Sequence, residues 1–179
     1  PASEETSKDS HATNEGEEAS TKITAQDASD LITLDIVAIS DFHGHIENAP
    51  ELDNIVKGIA ASNPDYTGFV GNGDLVGGSA YVSAIAQDVP TMEILTAMDL
   101  QMSAAGNHEF DKSYRDFEDR IVDLSGYPYA AANVQGLDAD SKIAPYIIET
   151  YGSGDMQVKV AYVGAVTDQL GTLVSPDGI

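Results

Sequence analysis

The sequence predicts an α/β fold with a mainly parallel sheet. Short runs rich in β-branched residues alternate with segments whose apolar residues recur at helical spacing, and several runs end in Gly-rich polar turns. This alternation of strand and helix forms β-α-β units, which join parallel strands through right-handed crossovers. Ligands of such sheets bind beyond the carboxyl ends of the strands, so we expect function in the turns that follow them.

The first half of the folded region is predicted to contain three strands and three helices. The strands are LITLDIVAIS (31–40), DYTGFVGNGD (65–74) and QMSAAG (101–106). The helices are ELDNIVKGIAASNP (51–64), GGSAYVSAIAQDVP (77–90) and TMEILTAMDL (91–100). Pro64 ends the first helix, and Ser79 is the expected N-cap of the second. Two helices therefore fall between the second and third strands.

The second half is predicted to begin with a helix in KSYRDFEDRIVDL (112–124). Three strands follow, in YPYAAANV (127–134), APYIIETY (144–151) and MQVKVAYVGAVT (156–167). The segment GSGD (152–155) is typical of a hairpin turn and is expected to join the last two strands.

The composition excludes several functional classes. The 179 residues include 30 acidic and 8 basic side chains, and the formal charge of −22 repels nucleic acid polymers and anionic lipid surfaces. No cysteine is present, which excludes disulfides and thiolate chemistry. No apolar run is long enough for a transmembrane segment.

Residues 1–30 lack apolar periodicity, and they predict a disordered acidic leader ahead of a domain at 31–179. Such a leader fits a secreted protein, and a cytosolic tail would have the same composition.

Polar side chains follow each of the first three predicted strands. Asp41 and His43 follow the first strand, Asp74 the second, and Asn107 with His108 the third. The interval from Asp41 to Asp74 equals that from Asp74 to Asn107, and each matches one β-α-β unit of roughly 30 residues. The three turns are therefore expected to meet at one edge of the sheet.

The donors in these turns predict a metal site. Carboxylate, imidazole and amide groups suit Mn, Zn, Fe or Co, and the set lacks the soft sulfur that selects copper(I). Gly44, Gly73 and Gly106 lie beside the donors and allow tight turns or a close approach of the backbone to an ion or phosphate.

Individual motifs also fit other interpretations. His43 alone is more typical of a turn or core histidine, and GNHEFD alone fits an acidic helix N-terminus. The segment GNGDLVGGS (71–79) fails as a dinucleotide-binding motif because Val76 replaces a small residue, and as a P-loop because no Lys follows the glycines. His45 has no matching partner and is expected to face solvent or to lie outside the direct metal ligands.

Taken together, the three turns make the chain resemble the calcineurin-like metallophosphoesterases, and within them the secreted bacterial 5'-nucleotidase and 2',3'-cyclic-nucleotide phosphodiesterase family. The resemblance is carried by SDFHGHI (40–46), GNGDLVGGS (71–79) and GNHEFD (106–111), with support from YAAANV (129–134) and VKVAYVGAVT (158–167). It implies the N-terminal portion of an α/β/β/α sandwich with an incomplete second sheet. It also implies a hydrolase that is secreted, periplasmic or at the cell surface.

The resemblance further implies residue roles. Two divalent ions (Mn, Zn, Co or Fe) would serve the hydrolysis of a phosphoester substrate such as a nucleotide. The implied metal ligands are Asp41 and His43 on one ion, Asp74 bridging to the second, and Asn107 on the second. His108 would contact the phosphoryl oxygen, and Asp111 would orient the His108 ring.

The family pattern continues with three further histidines and a C-terminal nucleotide-binding domain. This chain has four histidines and none after His108, so we expect the N-terminal part of such an enzyme, with the second metal site incomplete. The chain alone is then expected to bind divalent metal weakly and to hydrolyse little. The alternative is a non-enzymatic secreted or surface binding domain on a degenerate phosphoesterase scaffold, which also explains the missing histidines.

Overall fold

The computed structural model describes residues 31–174. The predicted leader at 1–30 and residues 175–179 lie outside this range, so the predicted domain boundaries stay a prediction. The described part contains six strands: β1 (Asp35–Ile39), β2 (Thr67–Gly71), β3 (Met102–Ala104), β4 (Tyr129–Ala130), β5 (Tyr146–Tyr151) and β6 (Val158–Val163).

The first four strands form one parallel sheet in the order β1-β2-β3-β4. Its register places Val37 opposite Phe69 and Ser103 opposite Tyr129. Strands β5 and β6 form a separate antiparallel pair, joined through the predicted GSGD turn. The parallel sheet, its helices and the small second sheet confirm the predicted fold class.

Helices connect the parallel strands. Their bounds are α1 (Ala49–Ser62), α2 (Tyr81–Ala84), α3 (Val89–Ala97), α4 (Tyr114–Asp116), a π-helical segment (Phe117–Ile121), α5 (Val122–Leu124) and α6 (Leu170–Leu173). The first joins β1 to β2, the next two lie between β2 and β3 as predicted, and the segment from α4 to α5 precedes β4. Within residues 31–174, no helix combines the length and the apolarity that a membrane crossing requires.

The second helix is shorter than predicted and begins at a different residue. Ala80 is the N-cap residue of α2, and no side chain caps this helix. The Ser79 hydroxyl instead donates to the Gly77 carbonyl at 3.3 Å. The N-cap prediction for Ser79 is therefore wrong, because its hydroxyl forms a local bond within the Gly-rich turn. Gln87 and Asp88 have positive φ angles of 54° and 65°, which separate α2 from α3.

A large apolar core anchors the turn after β2. Leu75 and Val76 follow β2 almost directly, and both side chains are fully buried. They belong to a cluster that joins the sheet to the helices and includes Val56, Phe69, Met92, Leu95, Phe117, Ile121 and Tyr129. Burying a side chain of this size is worth about 1.5–3 kcal/mol. The core therefore fixes the backbone on the C-terminal side of Asp74.

A tyrosine links the second sheet to the first. The hydroxyl of Tyr151 in β5 donates to Oε1 of Gln101 at 2.7 Å and lies 2.7 Å from the Tyr162 hydroxyl of β6. The same Gln101 oxygen accepts from the backbone N–H of Phe69 in β2 at 3.2 Å. These bonds satisfy polar groups that would otherwise be costly to bury between the sheets.

Candidate metal centre

The turn after β1 is hydrogen-bonded to the turn after β2. The N–H of Asp41 donates to the carbonyl of Gly73 at 3.2 Å, and the N–H of His43 donates to the carbonyl of Asp74 at 3.1 Å. Both bonds lie beyond the last residue pair of the β1–β2 ladder. Strand-like pairing thus continues past the end of the sheet and holds the two polar turns side by side.

Three of the predicted ligands have strained backbones. Asp41, His43 and Asp74 have φ angles of 53°, 44° and 54°. A positive φ costs an L-residue on the order of 1 kcal/mol, because its Cβ crowds the neighbouring carbonyl. Such strain persists only where the surrounding structure enforces it, and it is concentrated at functional sites.

The side chains of these three residues meet in space. Asp41, His43 and Asp74 each offer one ligand atom, and the three atoms lie within 4.8 Å of one another. Nε2 of His43 is 3.9 Å from Oδ1 of Asp41. Two carboxylate oxygens and one imidazole nitrogen are donors that suit divalent Mn, Zn, Fe or Co. The structure therefore brings together the donors that the sequence predicts for one ion.

A backbone carbonyl fixes the tautomer of His43. Its Nδ1 lies 2.7 Å from the carbonyl oxygen of Gly77. Because a carbonyl only accepts, Nδ1 carries the proton, and the lone pair of the neutral ring lies on Nε2. Metal-binding histidines are commonly held by such a bond from the other ring nitrogen. The residues present thus fit a divalent ion, and their roles as ligands stay a prediction.

His108 lies against this group. Its ring centroid is 4.8 Å from that of His43 in an edge-on arrangement, and its backbone N–H donates to Oδ1 of Asp74 at 2.9 Å. Nδ1 of His108 is 3.0 Å from each carboxylate oxygen of Asp111. The contact predicted between His108 and Asp111 is present, and Asp111 also accepts from the N–H of Gly78 at 3.0 Å.

The acidic surroundings raise the pKa of His108. Burial lowers the pKa, but the hydrogen bond and charge of Asp111, with the charges of Asp74 and Glu109, outweigh burial and raise the pKa above the usual 6.5. Because Nδ1 is held by Asp111, the proton that the ring gains or loses is on Nε2. The surroundings therefore favour the protonated ring, with Nε2 as the position free to donate.

Glu109 joins two of the turns, and the sequence did not single it out. The side chain is completely buried and accepts from the backbone N–H groups of Asp74, Leu75 and Gly106 at 3.0, 3.0 and 2.7 Å. Burial raises the pKa of Glu109 to about 7, while the three N–H groups favour its charged form. The signal in the sequence was its place within GNHEFD, directly after His108.

The remaining predicted residues occupy different environments. Asn107 immediately precedes the short 3-10 helix His108–Phe110, so it lies in the third turn beside the Asp74–His108 contact. His45 is half exposed, and its Nδ1 lies 2.7 Å from Oε1 of Glu47. All three polar turns thus meet at one edge of the sheet, with His45 turned toward a surface carboxylate.

Comparisons with known proteins agree with this arrangement. The sequence model of the family described as calcineurin-like phosphoesterase matches residues 34–170. The cell wall protein Lmo0130 of Listeria monocytogenes is 31% identical over 191 residues, which cover 86% of this chain and 24% of that protein. The endonuclease YhcR of Bacillus subtilis is 29% identical over 196 residues, covering 93% of this chain and 16% of that protein. The chain thus spans a quarter or less of the length of these relatives.

Solved structures share the fold at lower sequence identity. The NAD nucleotidase NadN of Haemophilus influenzae has a TM-score of 0.63 and 20% identity, covering 76% of this chain and 27% of that one. A 5'-nucleotidase precursor from Thermus thermophilus has a TM-score of 0.62 and 19% identity, covering 78% of this chain and 29% of that one. The family match spans all six strands and the three polar turns. The chain therefore belongs to the calcineurin-like phosphoesterase family.

Proposed function

We propose that the three turns form a metal-dependent site for phosphoester hydrolysis. The proposed metal ligands are Asp41, His43, Asp74 and Asn107. The observation that carries the proposal is that three of these donors lie within 4.8 Å of one another, beside a histidine whose ring is held by Asp111. Membership of the calcineurin-like phosphoesterase family supports the same reaction class.

The charge of the protein gives the ions a second role. When bound, divalent ions supply Lewis-acid polarisation of the phosphoester and offset local negative charge. The chain carries a formal charge of −22, so an anionic substrate is repelled from the site until cations occupy it. The carboxylates of Asp41 and Asp74 attract those cations. The N–H of His108 holds the Asp74 carboxylate in one orientation. This carboxylate would be the ligand that two ions share.

His108 is proposed to act on the phosphoryl group. Asp111 holds Nδ1, which leaves Nε2 to donate to a phosphoryl oxygen as charge develops there. The raised pKa favours the form of the ring that carries this proton. Asp111 is proposed to orient His108 without contacting the substrate itself.

We propose that the substrate is a nucleotide and that the protein lies outside the cytoplasm. Two structures that share the fold are those of a NAD nucleotidase and a 5'-nucleotidase precursor, and the negative charge of this chain disfavours nucleic acid polymers. A secreted, periplasmic or surface location is supported by the cell wall protein among the relatives. A C-terminal nucleotide-binding domain, as the resemblance implies, is proposed to complete the site.

The chain by itself is proposed to be a slow enzyme. It offers four proposed ligands for two ions, whereas a catalytic metal ion commonly has three or more protein ligands. The non-enzymatic alternative leaves unexplained why the His108–Asp111 pair is kept in place beside the donors. The enzyme is therefore the better supported of the two.

Hydrolysis of bis-p-nitrophenyl phosphate and 5'-AMP with added Mn²⁺ or Zn²⁺ tests the proposal. We expect slow, metal-dependent turnover that EDTA abolishes and that His108→Ala reduces by about 100-fold or more, in the range of general acid–base catalysis. His45→Ala is the control, because His45 is a surface histidine in the turn after β1 that pairs with Glu47, and it should keep the wild-type rate. Equal rates for wild type and His108→Ala would refute the assignment, and hydrolysis of DNA in place of the small substrates would refute the substrate class.

A further inference from the structure

Glu109 occupies an unusual position for a carboxylate. Its side chain is 0% exposed, and within residues 31–174 its hydrogen-bond partners are three backbone N–H groups and no cationic side chain. Oε2 accepts from the N–H groups of Asp74 and Gly106, and Oε1 accepts from the N–H of Leu75. Burying a charged carboxylate is costly unless it is hydrogen-bonded, and three N–H donors are a strong compensation.

The three bonds join two turns that the sheet alone does not hold together. Strands β2 and β3 pair through two residue pairs, Val70↔Met102 and Gly71↔Ser103, and the ladder stops there. Beyond this point, Glu109 receives bonds from the turn after β2 and from the turn after β3 at once. Its carboxylate therefore takes the place of the backbone ladder between these turns.

The backbone that Glu109 holds is strained and tightly packed. Asp74, whose N–H donates to Glu109, has a φ of 54°, a conformation that an L-residue keeps only where the surrounding structure enforces it. The Asp74 carboxylate points the other way across the same gap and accepts from the N–H of His108. Hydrogen bonds thus connect the two turns in both directions. The Glu109 carboxylate accepts from the Asp74 N–H, and the Asp74 carboxylate accepts from the His108 N–H.

We propose that Glu109 is a positioning residue that clamps the Asp74 turn to the Gly106 turn and thereby sets the geometry of the metal ligands. This inference rests on the proposed function, because it assigns Asp74 to the metal site. Glu109 itself does not contact metal or substrate. It acts through the peptide groups of Asp74, Leu75 and Gly106, which carry or adjoin the predicted ligands.

Glu109→Gln and Glu109→Asp test the clamp in two different ways. Glutamine keeps the shape but presents an NH₂ group to one of the three N–H donors, so one bond becomes a repulsive contact. Aspartate keeps the charge but is one methylene shorter, so it cannot reach both turns. Glu118→Gln is the matched control, because Glu118 is also buried and also accepts from a backbone N–H, that of Lys142 at 3.2 Å.

Mn²⁺ affinity, followed by electron paramagnetic resonance at a temperature where all variants are folded, is the decisive readout. We expect both Glu109 variants to bind Mn²⁺ at least about tenfold more weakly than wild type, in the range seen when residues that orient metal ligands are changed. Glu118→Gln should lose thermal stability and keep wild-type affinity. Equal affinity of Glu109→Gln and wild type would overturn the inference and leave the proposed function standing.

Amide hydrogen exchange in the metal-free wild-type protein tests the clamp without any variant. The amides of Asp74, Leu75 and Gly106 should exchange slowly although they lie in turns, because each donates to Glu109. Fast exchange at these amides would overturn the clamp even if the variants failed to fold. A wild-type protein that binds no Mn²⁺ would instead overturn the proposed function, and with it the metal-directed role of Glu109.

Discussion

The packing between the second and third turns leaves no room for a side chain at Gly106. A Cβ added there would lie 2.5 Å from the backbone nitrogen of Asp74 and 2.7 Å from its Cγ, and would also contact Oδ1. Real Cβ atoms essentially never come within 3.0 Å of a heavy atom to which they are not covalently linked. Gly106→Ala therefore requires the Asp74 backbone to move by about 0.5 Å, and Glu109 opposes that movement because it holds the Asp74 N–H at 3.0 Å.

The expected cost follows from this geometry. Overpacking typically costs about 1–3 kcal/mol, and we expect about 2 kcal/mol here because backbone as well as side chain must move. Urea unfolding measures the loss. With a slope of about 2 kcal/mol per molar urea, the midpoint should fall by about 1 M. Mn²⁺ affinity should fall at least about tenfold, because the Asp74 carboxylate is displaced.

Gly58→Ala is the matched control for this substitution. Gly58 lies within α1, and a Cβ added there meets no atom of the described part of the chain within 4 Å. The alanine should therefore raise the free energy of unfolding by about 0.5–1 kcal/mol through helix propensity and leave Mn²⁺ binding unchanged. Unchanged stability and Mn²⁺ affinity in Gly106→Ala would refute the close packing of the two turns.

Three further substitutions test other parts of the structure. In a Mn²⁺ titration, His43→Ala should abolish measurable binding, and the control His45→Ala should keep it. Equal binding by the two variants would show that His43 is not a metal ligand. The hydrogen bond from Arg120 holds the pKa of Asp116 below the usual 3.8. A lowered folded-state pKa stabilises the protein above the unfolded pKa and loses that effect as pH falls through the folded value. Asp116→Asn should therefore lower the free energy of unfolding, measured in urea at about pH 7, by about 1 kcal/mol. The difference between variant and wild type should shrink as the pH falls below the usual carboxyl pKa. A difference that stays constant with pH would contradict this. Tyr151→Phe should also cost about 1 kcal/mol, and no change in the urea midpoint would show that the contact between the sheets contributes little.

The sequence was most informative where residue type and backbone periodicity agree. Strands β1, β2 and β6 were predicted because β-branched runs fit a pleated, half-buried surface. The meeting of Asp41, His43 and Asp74 followed from topology alone, because parallel strands end at one edge of the sheet. The contact between His108 and Asp111 followed from the resemblance and is present.

Local backbone conformation was the part that the sequence did not reveal. Ser79 has the residue type of an N-cap, yet its hydroxyl bonds to Gly77, because the Gly-rich turn offers a nearer carbonyl. The positive φ angles of Asp41 and His43 depend on bonds to a turn that is distant along the chain, which no local pattern encodes. The burial of Glu109 depends in the same way on two turns closing around it, since acidic residues are mostly exposed.

The location of a bound ion tests the central claim most directly. Anomalous diffraction at the manganese edge, from crystals grown with Mn²⁺, should show a peak within about 2.5 Å of Nε2 of His43 and of a carboxylate oxygen from each of Asp41 and Asp74. Manganese bound only at other carboxylates of this acidic chain, or contacting His43 through Nδ1, would contradict the account.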